Sequence, residues 1–287
     1  SWRFISVFIL YQLVTILPYV FLLIVGGDQL NSFVEYIVTS LIFISILISF
    51  LRFFLSNNVN SILWNVYGMV YDGLLNFYPY QHLQELVFFE VKPTKNMRVL
   101  DLGAGSGNQT IKLASVGSSI DAVDNSYSMI KRLNKKKKSN NFENINVYKA
   151  DLIDFIATVD NSTYDRIVIT NVLYTVQDRN KFWNELIRIL KKDGRIVATN
   201  SDRSGSGPLI SEHILNKGTI SLLRPRLVAV FVIDLLISEM SKSGQYNFLS
   251  LEKIKSEVSS AGGKFKFIKR CYGGEKDGVN ILFDITK

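Results

Sequence analysis

Two acids and three glycines carry the most telling chemistry in this chain. Val99 to Gly107 reads VLDLGAGSG, which places Asp101 two residues ahead of Gly103, with Gly105 and Gly107 beyond, and Asp124 follows 23 positions after Asp101. Glycine lets a ligand approach the backbone closely, because no Cβ stands in the way. An acid about 20 residues past such glycines is where a ribose diol is gripped in doubly wound sheets. The set therefore makes a cradle for a nucleoside cofactor.

The spacing narrows the ligand. It is GxGxG, whereas dinucleotide sites use GxGxxG, with the third glycine packing the helix. A carboxylate at Asp101 would repel a pyrophosphate but suits a cationic group, such as the cationic end of S-adenosylmethionine. No Gly-Lys-Ser/Thr follows, which excludes a phosphate-cradling P-loop. On these residues alone, a Rossmann-like domain for another nucleotide stays open.

These side chains meet only if particular elements hold them. Arg98 to Leu102 is mostly apolar, as befits a parallel strand buried on both faces, and the glycines turn the chain into a helix beginning near Asn108. Ser119 to Val123 reads as the next strand, with Asp124 at its carboxyl end.

Further motifs follow in order: DNSYSM at 124–129, YKADL around Asp151, YDRIVITNVLYTV at 164–176 and FWNELIRILKKDGRIVAT at 182–199. With them, residues 60–287 resemble the class I S-adenosylmethionine-dependent methyltransferases. The resemblance implies an α/β, Rossmann-like, doubly wound and mostly parallel seven-stranded sheet, with a reverse turn at Asp193-Gly194 ahead of the fifth strand. It implies that Asp101, Gly103 and Gly105 lie against the methionine end, that Asp124 takes the ribose hydroxyls and that Asp151 lies beside the adenine. Asn125 and Leu152 adjoin these as further cofactor contacts. S-adenosylmethionine is then the cofactor and S-adenosylhomocysteine the product, and no metal is needed.

The amino-terminal region has a different composition. Phe4 to Val25 holds 22 uncharged residues, about 33 Å of helix against a hydrocarbon core of about 30 Å. Tyr36 to Leu55 is interrupted only by Arg52, and the polar GGDQLNSFVE lies between. Residues 1–56 thus read as a two-helix transmembrane hairpin (4–25 and 36–55) that engages membrane lipids, ahead of a catalytic domain at 57–287. Its loop carries Asp28 and Glu35 without Lys or Arg, whereas Arg3 and Arg52 flank the outer ends, so both termini are expected on the cytoplasmic side.

Charge and cysteine content bound the remaining options. The net charge of +8 includes KRLNKKKK at 131–138. Such a run is first a solvated helix end and second a contact for anionic headgroups. It has no interleaved aromatics, so nucleic acid is not an expected partner. One cysteine, Cys271, rules out an internal disulfide framework, there is no cysteine-histidine cluster for zinc, and nothing in the sequence fixes an oligomeric state.

Two segments bear on the methyl acceptor. Trp64 to Leu86 is rich in aromatics, and its Tyr71-Asp72 resembles the segment that lies over the cofactor in many methyltransferases; Tyr67, Tyr71 or Tyr80 would flank the sulfonium. Core packing is the plainer reading of the same residues. An insertion at 203–248 contains an interrupted apolar stretch suited to a lid or an interfacial segment. In this fold the loop Asn171–Thr175 reaches the reacting methyl, which makes Asn171 and Tyr174 candidates for acceptor positioning and adds Asn171 to the cofactor contacts. His82 and His213 are the candidate general bases. The reading favours a lipophilic small molecule or lipid as acceptor. A membrane-proximal protein or peptide is the alternative, as is a membrane-anchored scaffold without turnover.

Overall fold

The computed structural model describes residues 71–203, 207–218, 248–274 and 278–287. The chain divides into two units, Ser1–Ile62 and Leu63–Lys287, and the described residues all fall in the second.

Its centre is a seven-stranded sheet: β1 (Arg98–Leu102), β2 (Ser119–Asp124), β3 (Ile145–Lys149), β4 (Tyr164–Thr170), β5 (Leu190–Ser201), β6 (Lys264–Cys271) and β7 (Asn280–Thr286). The spatial order is β3-β2-β1-β4-β5-β7-β6. The first five strands are parallel, and β7 runs antiparallel to both β5 and β6. The doubly wound sheet expected from the sequence is thus present. The order reverses at β1, which opens a crevice at the carboxyl ends of β1, β2 and β4, where open α/β sheets bind ligands.

Seven α-helices flank the sheet among the described residues: α1 (Tyr78–Val91), α2 (Asn108–Ala114), α3 (Tyr127–Ser139), α4 (Leu152–Ala157), α5 (Arg179–Ile189), α6 (Gly207–Lys217) and α7 (Leu251–Ser260). Alternation along the strands builds a core on each face. Leu100, Leu102, Ile167 and Ile169 pack with residues of α5 and α7. Val99 and Val168 pack on the opposite face with residues of α1 and α2. By the same alternation Asp101 and Thr170 face the α1/α2 side, at the ligand end of the sheet.

A buried carboxylate ties β1, β2, β3 and β4 together. Asp121 on β2 accepts from the Tyr164 hydroxyl at 2.8 Å, from Asn146 Nδ2 at 2.8 Å and from the Arg98 guanidinium at 2.9 and 3.1 Å. Satisfying it from three strands is what allows an ionisable group inside the sheet.

The expected reverse turn at Asp193-Gly194 is corrected by the structure. Both residues lie inside β5, which runs continuously from Leu190 and bulges against β4, the register passing from Tyr164↔Leu190 to Arg166↔Arg195. A bulge absorbs extra residues within a strand that a separate turn would otherwise need. Among the described residues no helix is long and apolar enough to cross a membrane. The runs at 4–25 and 36–55, and most of the insertion at 203–248, lie outside the described residues.

Candidate functional site

The glycine loop leaves β1 and enters α2. Gly103 and Ala104 both donate backbone N–H to the Val123 carbonyl, at 2.9 and 3.0 Å, which sets the loop beside the end of β2. Gly105 has φ +56°, and a Cβ on it would face the Tyr71 ring at 3.6 Å. Gly107 has φ +82°, and a Cβ there would fall 2.2 Å from Leu133 Cδ1 of α3. The first glycine keeps the cradle open beneath Tyr71, and the other lets α2 and α3 close together.

Asp124 locks the loop to β2. Its Oδ2 accepts the Gly105 N–H at 2.9 Å and its Oδ1 accepts the Ser126 N–H at 2.8 Å. Each carboxylate oxygen has more than one acceptor direction, so a ribose diol can be bound on the remaining ones. Burial raises the acid, although both backbone N–H groups oppose that. Asp101 lies deeper, 2% exposed, and accepts the Thr110 hydroxyl at 2.6 Å. Burial pushes its carboxyl up to about 6; the Thr110 hydrogen bond resists this and the neighbouring Asp124 charge adds to it. A cation placed against Asp101 would offset this desolvation.

The described residues therefore fit S-adenosylmethionine. A buried carboxylate would meet the cationic end, an acid with remaining acceptor directions would meet the diol, and a cradle kept clear of Cβ atoms lies between. Asp151 stands apart in character: it is exposed, and its Oδ1 caps α4 by accepting from Ile153 and Asp154 N–H at 2.8 and 3.3 Å. Leu152 beside it is half-buried and Asn125 is exposed.

Next to the glycine loop lies a cluster of phenols and amides. Tyr80 donates its hydroxyl to the Tyr71 hydroxyl at 3.3 Å and accepts from Asn108 Nδ2 at 3.1 Å. Asn171, at the end of β4, has φ +56° and accepts from the Thr199 hydroxyl at 3.2 Å and from Asn280 Nδ2. The Asn171 side chain also lies close to the phenol of Tyr272, a buried residue with φ +63°. Burial raises both the Tyr80 and Tyr272 phenols, so each stays protonated at neutral pH. Asn280 Oδ1 and Thr170 Oγ1 are buried with no hydrogen-bond partner.

Tyr272 and Asn280 were missed by sequence reasoning. Neither belongs to a motif; they arrive because β7 inserts between β5 and β6, pairing Asn280 with Ser201 on one side and Cys271 on the other. The left-handed backbone of Tyr272, shared by its neighbour Asn171, is a local oddity that only coordinates reveal.

The other candidates fare differently. Tyr71 lies over the glycine loop, its ring 3.6 Å from where a Cβ on Gly105 would stand. Tyr174 is buried against Phe248, ring centroids 5.4 Å apart. His82 is exposed on α1 and stacks on Tyr78, so it is not drawn into the cluster around Asn171. His213 is fully buried on α6, stacked on Phe77 at 4.7 Å, and its Nδ1 accepts the backbone N–H of Tyr78 at 3.0 Å. That bond satisfies one of the orphan donors at the start of α1. It occupies the Nδ1 lone pair that a base would use, which gives His213 a capping role.

Comparison with known proteins agrees with this geometry. Residues 93–231 match the family model described as a methyltransferase domain. A demethylmenaquinone methyltransferase of Clavibacter sepedonicus is 32% identical over 107 residues, which is 37% of this chain and 42% of that protein. The chain thus spans less than half the length of that curated relative. Among solved structures, an S-adenosyl-L-methionine-dependent methyltransferase assignment from Methanococcus maripaludis aligns with a TM-score of 0.52 at 19% identity, covering 77% of this chain and 91% of that one. Phosphoethanolamine N-methyltransferase 2 of Haemonchus contortus, solved with S-adenosyl-L-methionine, aligns with a TM-score of 0.52 at 16% identity, covering 76% of this chain and 46% of that one. Cradle, sheet order and matched segment converge: residues 93–231 match a methyltransferase domain, the sheet has the fold of the aligned methyltransferase structures, and the cradle fits S-adenosylmethionine as the cofactor.

Proposed function

We propose that the protein methylates a lipophilic acceptor with a quinone-like aromatic ring, at the cytosolic surface of a membrane. The observation that carries this reading is the neutral cluster of Tyr80, Tyr272 and Asn171 beside the glycine loop. Aromatic faces and amide groups suit a planar ring with polar substituents. The name of the Clavibacter relative supports a quinone-like acceptor, and the uncharged runs at 4–25 and 36–55 support action at a membrane.

When bound, S-adenosylmethionine supplies an electrophilic methyl group on a sulfonium. The chain's part is alignment and exclusion of water. Asn171 and Tyr272 orient the polar atom of the acceptor, Tyr71 and Tyr80 shield the cradle, and Asp101 keeps its charge against the cationic end.

The test uses methyl-labelled cofactor, the full chain and membranes, with products divided into organic and protein fractions. Label in the organic fraction supports the reading, and label in protein alone overturns it in favour of a protein acceptor. If a form lacking residues 1–56 still bound membranes after a high-salt wash, the hairpin would not be the sole anchor.

A further inference from the structure

Lys136 is set apart from the exposed lysines of the basic run. Lys131, Lys135 and Lys138 are exposed, whereas Lys136 turns inward to a cluster that joins four parts of the chain. Its Nζ lies 2.6 Å from Asp72 Oδ1 and 3.0 Å from Ser106 Oγ, and it also donates to Asn108 Oδ1. Asp72 Oδ1 accepts the Ser106 hydroxyl at 2.6 Å, and Arg132 NH1 lies 3.3 Å from Asp72 Oδ2. Asp72 belongs to the 3-10 turn Tyr71–Asn76, Ser106 to the glycine loop, Asn108 to the start of α2, and Lys136 to α3.

The cluster sits directly behind Tyr71, whose ring covers Gly105. Tyr71 is tied from its other side by Tyr80, itself bonded to Asn108. The turn is thus fastened to the cradle at both Tyr71 and Asp72. Without Lys136 the Asp72 carboxylate would keep Ser106 and the more distant Arg132, and the partly buried acid would lose its closest counter-charge.

We propose that Lys136 and Asp72 form a latch holding the Tyr71 turn shut over the cofactor cradle, and that the latch sets the rate at which the cofactor leaves. Both are positioning residues; they act through Tyr71 and Ser106 rather than on the reacting atoms. The inference rests on the glycine loop being the S-adenosylmethionine cradle. Covering loops of this kind commonly govern product release.

The test measures S-adenosylhomocysteine binding to the full chain by calorimetry and stopped-flow, with hydrogen exchange as a second readout. Lys136→Met and Asp72→Asn are expected to weaken binding about tenfold, the scale of one lost charge-assisted hydrogen bond. The loss should lie in faster release, with association changed less than about threefold. Amides of residues 71–76 should exchange faster while those of β1 and β4 keep their protection. Lys136→Arg should stay within about threefold of wild type, since Arg restores the ion pair. Unchanged affinity in both variants, an Arg variant as weak as the Met variant, or loosening spread equally over β1 and β4 would each overturn the latch. Failure of the wild-type chain to bind S-adenosylhomocysteine would instead overturn the cradle itself.

Discussion

Gly105 donates its backbone N–H to the Asp124 carboxylate at 2.9 Å. The loop after β1 is therefore fastened to the acid after β2 by the chain's own hydrogen bonds, with the second oxygen of Asp124 held by Ser126. Such preorganisation lowers the ordering cost of binding.

Replacing Asp124 with Ala should release the loop and remove the diol contact together. Charge-assisted hydrogen bonds of about 1.5 to 3 kcal/mol imply a loss of about ten- to a hundredfold in S-adenosylhomocysteine affinity. Isothermal titration calorimetry measures it, and an affinity within about twofold of wild type would refute this account of the cradle.

Asp101 should make binding and stability respond to pH in opposite directions. Its folded pKa of about 6 lies above the ordinary value of 3.8, so the folded chain keeps the proton longer than the unfolded chain does. Through this group, stability falls as pH rises from about 4 to about 6 and changes little above that. A bound cation favours the carboxylate, so affinity for S-adenosylmethionine should rise over the same interval and release up to about one proton. Titrations at about pH 5 and pH 7 in buffers of different ionisation heat read this out. Asp101→Asn should abolish the dependence, and its persistence in that variant would assign it elsewhere.

Gly107→Ala should destabilise the fold. The substitution forces alanine to φ +82° and drives its Cβ into Leu133. The left-handed conformation alone costs about 1 to 2 kcal/mol, and the clash adds to it. Urea unfolding should show a lower midpoint; an unchanged midpoint would mean that α3 gives way freely.

The two histidines should separate cleanly from catalysis. His213→Ala removes the acceptor for the Tyr78 N–H and leaves a cavity beside Phe77, a loss of about 1 to 3 kcal/mol in stability. His82→Ala, at an exposed helix position, should change stability by no more than about 0.5 kcal/mol. Neither should shift the pH profile of methyl transfer. A profile that lost its acid-side fall in either variant would restore that histidine as a base.

Asp121→Ala should cost about 2 to 3 kcal/mol, because it strands the buried Tyr164 hydroxyl while the half-exposed Arg98 turns to water. Thermal unfolding measures the change.

Much of the cofactor side was legible without coordinates. Short-range rules suffice for Asp101, the glycines and Asp124, because a buried strand, a glycine turn and a second strand fix their spacing within 24 residues. The helix starting at Asn108 and the strand ending at Asp124 fall where the pattern puts them. The reverse turn at Asp193-Gly194 was misplaced, since a turn dipeptide and a strand bulge look alike until the partner strand is known.

By itself, then, the sequence determined the cradle and the class of sheet, through local spacing and hydrophobic alternation. Only the tertiary structure decided what closes the cradle and what faces it. Lys136 meets Asp72 across 64 positions and Asn280 meets Asn171 across 109, so these partners depend on strand order and helix packing. The same long-range packing turned His213 from a candidate base into a cap for α1. Chemical type and local spacing name the groups a chain can use, but the pairing of distant segments sets which charges, phenols and amides meet.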